Sequence, residues 1–419
     1  MNKVLRHKGL LVILIVGLIL RLIVLISEGS WLSIDSDDKG YISSAIEFLN
    51  GNGITYINPE EPTIHILPGI TFLLSPFLVF GYNEISMTFI KLMMIGFGLI
   101  SITFTYAIGH YLFNRYVGWI GALLLAIYIP QILSDNLVLT EGPFTAAFLA
   151  FFYFSFRLAD EPNMKWFYWV IGLYLFMLYF RPTIALLPIL LLIYFVLKKY
   201  PWKMAMKQFV VAAILLVLVM SPWWIRNYVH YDEFIPLSGG AGNPMLLGTY
   251  QGHGYKFTPT YKEVVAEIDT TLQGEPRYVI QEAQREVAQE RMRLIHATEP
   301  EWFWETYIEL KTIEQWSSPF YWIEILNVPL EKMHMIYEKT IGYLFWLSLL
   351  ALVVYPKRWK EWIFVGLLIG YFTLLNNIFF AYPRYNQPLL PFLFVFASAG
   401  VIGVIQRVRE YIINKNPAR

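Results

Sequence analysis

The sequence predicts an all-α polytopic membrane protein with about ten transmembrane helices. Apolar residues make up 57% of its 419 residues and charged residues only 15%, and many apolar runs are long enough to cross a bilayer. Soluble proteins carry roughly 25% charged residues, so the composition argues against a soluble enzyme and against a disordered chain. The net charge of +1 does not suggest nucleic-acid binding, and a chain without cysteine has no disulfide.

Ten apolar runs are interpreted as transmembrane spans. They lie near residues 10–27, 85–112, 117–133, 138–157, 166–181, 182–198, 208–225, 340–355, 361–379 and 388–405. The first run resembles a signal peptide but has no small-residue cleavage site, which favours an uncleaved anchor. Residues 64–80 are apolar but short and contain Pro68 and Pro76, so we expect an interfacial or re-entrant element there.

Lys and Arg in the short loops predict the orientation. One set of loops holds most of them: Lys3, Arg6, Lys8, Arg115, Arg157, Lys165, Lys198, Lys199, Lys203, Lys207, Lys357, Arg358, Lys360, Arg407, Arg409, Lys415 and Arg419. The short loops opposite hold only Lys39, Arg181 and Arg384. The positive-inside rule then predicts a plasma-membrane protein with both termini in the cytoplasm.

This orientation divides the chain into three parts. Residues 1–225 form an N-terminal transmembrane module, in which residues 28–84 are a first outer loop with juxtamembrane helices. Residues 226–339 form a small, mostly helical extracytoplasmic segment, and residues 340–419 contain the last spans and a cytoplasmic tail.

The first outer loop carries an acidic cluster, Asp35, Asp37 and Asp38, directly after a span. Tyr41, Ala45, Phe48 and Leu49 follow at helical spacing, so an aspartate here is expected to cap a helix. A catalytic base or a metal ligand at the membrane surface is the alternative, and the two roles are compatible.

The second outer loop adds Asp135 and Glu141, with Thr140 as a candidate cap of the next span. Both acids should lie at the depth of the first cluster. Carboxylates from two loops can share a divalent cation, and we expect Asp37, Glu141 and Asp135 as ligands of Mg, Mn or Zn.

Four cations lie near the outer ends of spans, namely Arg21, Lys91, Arg181 and Arg384. A charge within a span costs at least ~2.5 kcal/mol on insertion scales, so it suggests a function, although snorkelling is the simpler explanation for Arg21 and Lys91. Guanidinium groups match phosphate oxygens, so a lipid phosphate is the expected ligand.

Short motifs follow one another in a characteristic order from about residue 10 to residue 405. They are Leu20-Arg21-Leu22, Asp37 four residues before Tyr41, Ala45, Leu49-Asn50-Gly51-Asn52-Gly53, Pro68-Gly69 leading to Pro76 and Gly81, Thr140-Glu141, Arg181-Pro182-Thr183, Pro222-Trp223-Trp224-Ile225-Arg226-Asn227-Tyr228, and Arg384-Tyr385 with Pro388 and Pro391. In order, spacing and sidedness they resemble the GT-C membrane glycosyltransferases. The best match is the bacterial branch of glycosyltransferase family 39, akin to protein O-mannosyltransferases and the aminoarabinose transferase of lipid A.

The resemblance implies a polyprenyl-phosphate sugar donor and transfer on the extracytoplasmic face to a glycan, lipid or protein. It implies that Asp37 is the key acid, with Asp38 beside it and Glu141 as the acid of the second loop. Lys91 stands where many relatives have Arg. The remaining candidates of the site are Asp35, His65, Tyr41 and Tyr385.

The residues suit an inverting transfer. One carboxylate accepts the proton of the acceptor hydroxyl, and cations or a metal stabilise the departing phosphate. A transporter or flippase of a lipid-linked sugar is the alternative, as is a non-catalytic scaffold. Transporters usually have internal repeats and a site near the midplane, whereas this sequence has no repeat and its charges gather at the outer boundary.

Overall fold

The computed structural model describes residues 2–56, 58–317 and 321–415. Within this part the chain is 78% helical and has no β-strand, which confirms the all-α prediction. The helices of the first half are α1 Asn2–Glu28, α2 Asp37–Leu49, α3 Gly69–Leu78, α4 Glu84–Leu112, α5 Arg115–Ile127, α6 Ile129–Ser134, α7 Glu141–Asp160, α8 Met164–Leu178, α9 Leu187–Leu197 and α10 Trp202–Tyr231. The later helices are α11 Gly242–Gly248, α12 Tyr261–Thr271, α13 Arg277–Thr298, α14 Pro300–Trp304, α15 Lys311–Ser317, α16 Leu330–Val354, α17 Trp359–Ile378 and α18 Leu390–Lys415.

In the part of the chain that the structure describes, seven helices are long and apolar enough to cross a membrane, namely α1, α4, α7, α10, α16, α17 and α18. Three shorter apolar segments occupy the other predicted spans: α5 together with the following α6, α8, and α9 together with the 3-10 turn before it (Pro182–Leu197). The chain is therefore a multi-pass membrane protein with close to ten spans. Four helices extend well past the expected boundaries: α1 begins at Asn2, α10 runs from Trp202 to Tyr231, α16 begins at Leu330 and α18 ends at Lys415.

The short element expected at residues 64–80 is α3. Its ten residues span about 15 Å, which is too short for a hydrocarbon core of about 30 Å. It packs against α2 and the start of α4 instead. The prediction of a non-spanning element here is therefore confirmed.

The break between α5 and α6 lies inside the predicted span 117–133. Pro130 has no N–H group, so the Ala126 carbonyl four residues earlier has no donor within the helix. The backbone leaves the helical conformation at Tyr128, and the Ala126 oxygen accepts a hydrogen bond from Arg21 Nη1 at 3.0 Å instead. An intramembrane arginine thus satisfies a carbonyl that a proline leaves free.

Helix α7 is the central helix of the bundle. Phe144, Phe148, Phe152 and Phe156 repeat every fourth residue along it and are fully buried. Such spacing places them on one face, where Phe148 and Phe152 pack on α18 through Phe392. Because α7 is interior, Glu141 at its first position is held in a buried environment at one end of the bundle.

The opposite end of the bundle gathers several of the basic loops. Lys198 pairs there with Asp160 at 2.6 Å and with Glu361 at 3.1 Å. These three residues come from the ends of α7, α9 and α17 that lie away from Glu141. The bundle therefore has one end rich in basic loops and another that carries Glu141, as the sequence predicts.

The segment between α10 and α16 is helical and has a small core of its own, formed by Leu246, Val264, Ile268 and Ala288. It contacts the turn that follows α17. The Gln251 side chain exchanges two hydrogen bonds with the Ala381 backbone, at 2.9 and 3.0 Å, and Lys311 Nζ donates to the Asn377 carbonyl at 2.7 Å. The segment is thereby joined to the turn that leads to Arg384.

Candidate active site

Two acids and two arginines from four distant parts of the chain meet at the Glu141 end of the bundle. Arg384 contacts the Asp37 carboxylate through Nη2 and lies with Nε 3.3 Å from Glu141 Oε1. Arg181 Nη2 is 2.6 Å from the same Glu141 oxygen. The order Asp37, Arg384, Glu141, Arg181 alternates in charge, and we call these four residues the acid–arginine cluster.

Local structure explains where each member lies. Asp37 and Glu141 are the first residues of α2 and α7, and a helix N-terminus favours a negative charge. Arg181 lies three residues after the end of α8, in the extended conformation that the following Pro182 favours. Arg384 is in a 3-10 turn, Pro383–Leu389, that leads into α18.

Exposure is uneven across the cluster. The side chain of Glu141 is 2% exposed and that of Arg384 is 11% exposed, whereas that of Asp37 is 25% exposed. Arg384 Nη1 is buried and donates to no acceptor among the described residues. A partly accessible carboxylate thus lies beside an arginine that retains an unpaired N–H donor group, which is suited to bind an anionic oxygen.

Aromatic rings enclose the two arginines. The Arg384 guanidinium lies 5.1 Å from the centre of the Tyr382 ring and 5.8 Å from that of Tyr385, and Arg181 lies 5.7 Å from Tyr385. These distances suit cation–π contact. Burial raises the pKa of Tyr382 to about 12, so its phenol stays neutral and adds no charge to the cluster. Tyr385 is thus brought to the site, as expected.

The three aspartates of the first outer loop have different environments. Asp38 is 2% exposed and accepts hydrogen bonds from the backbone N–H groups of Ile34 and Ser36, both at 3.0 Å. Asp35 is exposed and pairs with Lys39 at 2.8 Å, a contact that lowers the Asp35 pKa. Of the three, only Asp37 belongs to the acid–arginine cluster, through its contact with Arg384, whereas Asp38 binds the backbone of the loop before α2.

Arg21 and Asp135 form a separate ion pair inside the bundle. Arg21 Nη2 and Nε each lie 2.8 Å from Asp135 Oδ2, and both side chains are 0% exposed. Asp135 also accepts a hydrogen bond from Gln131 at 2.9 Å. The expectation that Arg21 binds the donor phosphate is not supported by this geometry, because the side chain has no exposed atom.

Lys91 is also fully buried, and it links two outer loops. Its Nζ donates to the Leu32 and Asn136 carbonyls, both at 2.6 Å. These carbonyls lie shortly before Asp37 and Glu141 in the chain. The geometry therefore indicates that Lys91 holds the two acid-bearing loops together, and it does not support a contact between Lys91 and a phosphate.

The three-carboxylate metal site predicted from Asp37, Glu141 and Asp135 is not formed. Asp135 pairs with Arg21, while Asp37 and Glu141 are bridged by Arg384. Among the residues that the structure describes, no three His, Asp or Glu side chains are grouped so that they hold a metal ion. Metal dependence stays a prediction of the sequence.

The first outer loop brings two more side chains to Asp37. Tyr56 donates a hydrogen bond to Asp37 Oδ1 at 3.2 Å, and the His65 ring lies 4.9 Å from the Tyr56 ring. Burial, the largest cause, lowers the His65 pKa, so the imidazole is neutral at pH 7. The Tyr41 ring lies 6.1 Å from that of Tyr56, and burial raises its pKa well above 10.0. Tyr56 could not be predicted as a site residue from the sequence, because a lone tyrosine in a loop has no distinguishing pattern.

Comparison with known proteins bears on the fold that carries this site. Residues 68–225 match the family model described as dolichyl-phosphate-mannose-protein mannosyltransferase. The structure of the archaeal oligosaccharyltransferase AglB from Archaeoglobus fulgidus superposes with a TM-score of 0.60 at 14% identity, over 100% of this chain and 52% of that one. The chain has the GT-C fold. This result confirms the resemblance that the motifs carry.

The GT-C chain spans about half the length of the archaeal enzyme, whose structure was solved with an inhibitory peptide and a dolichol-phosphate. A second structure of that enzyme, in the apo form, gives a TM-score of 0.56 at 14% identity over 99% of this chain and 52% of that one. ArnT from Cupriavidus metallidurans, bound to undecaprenyl phosphate, gives a TM-score of 0.44 at 13% identity over 96% and 78% of the two chains. No curated protein sequence matches the chain.

Proposed function

We propose that this GT-C chain is an inverting glycosyltransferase that moves a sugar from a polyprenyl phosphate to an acceptor hydroxyl on the extracytoplasmic face. The observation that carries the proposal is the acid–arginine cluster, which places a partly exposed carboxylate, Asp37, in contact with an arginine that has an N–H donor without an acceptor among the described residues. The family match over residues 68–225 agrees, since its description names a dolichyl-phosphate sugar donor.

The acid Asp37 and the arginines of the cluster have separate roles in the proposed reaction. Asp37 accepts the proton of the acceptor hydroxyl while the hydroxyl oxygen bonds to the anomeric carbon. The bond from that carbon to the phosphate oxygen breaks, and the polyprenyl phosphate leaves with the electron pair. Arg384, with Arg181 beside it, stabilises the charge that develops on the phosphate. No general acid is needed, because the phosphate leaves as an anion.

Glu141 has a supporting role in this proposal. It is 2% exposed and carries contacts from both arginines, at 2.6 and 3.3 Å. A buried carboxylate between two guanidinium groups reduces their mutual repulsion and fixes their spacing. The acceptor side is assigned to the segment 226–339, which joins the turn before Arg384.

The proposal is tested by deleting the gene in its host and analysing polyprenyl-phosphate lipids and envelope glycans. We expect one lipid-linked sugar to accumulate and one glycan, lipid or protein to lose that sugar. The purified protein should then transfer the sugar from the accumulated lipid, and the Asp37→Asn variant should not, although it binds the lipid. Accumulation of the lipid on the inner leaflet alone would favour a flippase and contradict the proposal.

A further inference from the structure

Two features near the site are not used in the reaction above, namely Arg226 in the Pro222–Tyr228 motif and Tyr56 in the first outer loop. We infer that Arg226, by fixing this loop, holds Tyr56 against Asp37, and that Tyr56 positions the Asp37 carboxylate for proton transfer. The inference rests on the proposed function, because it takes Asp37 as the base.

The first step is the contact between Tyr56 and Asp37. The Tyr56 hydroxyl donates to Asp37 Oδ1 at 3.2 Å, while Arg384 contacts the other carboxylate oxygen, Oδ2. A carboxylate held at both oxygens cannot rotate freely about its terminal bond. Tyr56 is 7% exposed, and burial raises its pKa well above 10.0, so the phenol keeps the proton that it donates.

The second step is the space that admits the Tyr56 ring. Gly40 lies three residues after Asp37 on α2, and a Cβ atom there would be 2.2 Å from Tyr56 Cε2 and 2.6 Å from Cζ. No real Cβ approaches a carbon atom so closely, so the ring packs against α2 because residue 40 has no side chain. The His65 ring, 4.9 Å from the Tyr56 ring, covers it from the loop.

The third step is the attachment of the loop to α10. Arg226 donates through Nη2 to the Ile54 carbonyl at 2.9 Å and through Nη1 to the Thr63 carbonyl at 2.8 Å. The Thr63 N–H donates to the Ile54 carbonyl at 2.9 Å. One guanidinium group therefore binds both ends of the loop that carries Tyr56.

Further contacts hold Arg226 and the loop in this arrangement. The guanidinium lies 5.0 Å from the Trp223 ring and 2.9 Å from Asn227 Oδ1. The Ile64 carbonyl accepts a hydrogen bond from Gly239 N at 2.9 Å. Because lysine has no planar fork, it cannot bind two carbonyls with the same geometry.

The experiment measures kcat and KM for the donor lipid in the purified full-length protein. We expect Tyr56→Phe to lower kcat at least tenfold and to leave KM within twofold, because the ring stays and only the donor is lost. Gly40→Ala should lower kcat similarly, although alanine favours the helix more than glycine does. Tyr82→Phe, which changes an exposed tyrosine of the same loop region, should match the wild type.

A double-variant comparison tests whether Arg226 acts on Asp37 through Tyr56. Arg226→Met should lower kcat by the same factor as Tyr56→Phe, and the two changes together should lower it no further. Arg226→Lys gives a second measurement if the Met variant does not fold, and it should be intermediate. Arg285→Met, at an exposed arginine of the outer segment, is the matched control.

The outcomes separate this inference from the proposed function. If Asp37→Asn keeps full activity, the proposed base is wrong. If Asp37→Asn is inactive while Tyr56→Phe keeps the wild-type kcat, the inference is overturned and the proposed base stands. Independent, multiplying effects of the Tyr56 and Arg226 variants would also overturn it.

Discussion

Arg384 contacts Asp37 although 347 positions separate them in the chain. The same guanidinium reaches Glu141 with Nε at 3.3 Å. One arginine thereby joins the start of α2 to the start of α7, and its own position depends on the turn that the outer segment holds through Gln251. The cluster is thus assembled by contacts between parts of the chain that are far apart in sequence.

Because Arg384 contacts both Asp37 and Glu141, we predict that Arg384→Lys is not a conservative change. A lysine ammonium is a single point charge and cannot serve Asp37 and Glu141 with separate N–H groups. We expect transfer to fall roughly 10- to 100-fold, which corresponds to about 1.4–2.8 kcal/mol of lost transition-state stabilisation. The measurement is kcat/KM for the donor lipid, with Lys262→Arg as an exposed control. An unchanged kcat/KM would remove Arg384 from the proposed mechanism.

The different environments of the three loop aspartates predict three different phenotypes. Asp37→Asn should lower transfer at least about 100-fold, which is the lower range for loss of a general base, and should lower stability by no more than about 1 kcal/mol through the partly exposed ion pair with Arg384. Asp38→Asn should lower stability by about 1 kcal/mol, because the loop N–H groups lose a charged acceptor. Asp35→Asn should change neither. Transfer rates and thermal unfolding of the detergent-solubilised variants distinguish these expectations, and a loss of transfer confined to Asp35→Asn would refute the assignment.

The buried Arg21–Asp135 pair predicts a change in stability rather than in chemistry. Arg21→Met leaves the Asp135 carboxylate uncompensated, which we expect to cost roughly 3–5 kcal/mol. The double variant Arg21→Met, Asp135→Leu should recover most of that loss, since both charges are gone. Unfolding midpoints measure both effects. A stable Arg21→Met variant that had lost donor binding would instead support the phosphate contact expected from the sequence.

The burial of Lys311 predicts that the stability of the protein depends on pH. It is 1% exposed, donates to the carbonyls of Asn377 and Phe379 at 2.7 and 3.3 Å, and burial lowers its pKa to about 7. In the unfolded chain this lysine has the usual pKa near 10.5. Between about pH 7 and pH 10.5 the unfolded chain therefore binds more protons at Lys311 than the folded chain does. The contribution of Lys311 thus makes the stability of the fold rise with pH in that window.

The test compares the unfolding midpoint of wild type and Lys311→Met from pH 6 to pH 10. We expect the variant to lose the rise above about pH 7 and to be less stable overall, because two carbonyls at the end of α17 lose their donor. Lys262→Met, on the exposed face of α12, should keep the wild-type profile. Parallel profiles for wild type and Lys311→Met would contradict the lowered pKa.

Hydropathy alone determined the fold class and the approximate number of spans. Bilayer crossing requires long apolar runs, and this requirement acts on local sequence, so α4, α7 and α17 could be predicted within a few residues. The non-spanning α3 followed from its short length and from the charge asymmetry of the loops. The precise ends of α10 and α16 could not be predicted, because amphipathic residues continue these helices into the polar segment without a hydropathy signal.

The sequence by itself also determined most members of the site. Asp37, Glu141, Arg181 and Arg384 are charged residues beside apolar spans, and the cost of placing charge there makes them conspicuous. Only the tertiary structure decided which charges pair. It joined Asp37 to Arg384, Arg21 to Asp135 and Tyr56 to Asp37, because pairing depends on which helix ends meet and hydropathy carries no information about that.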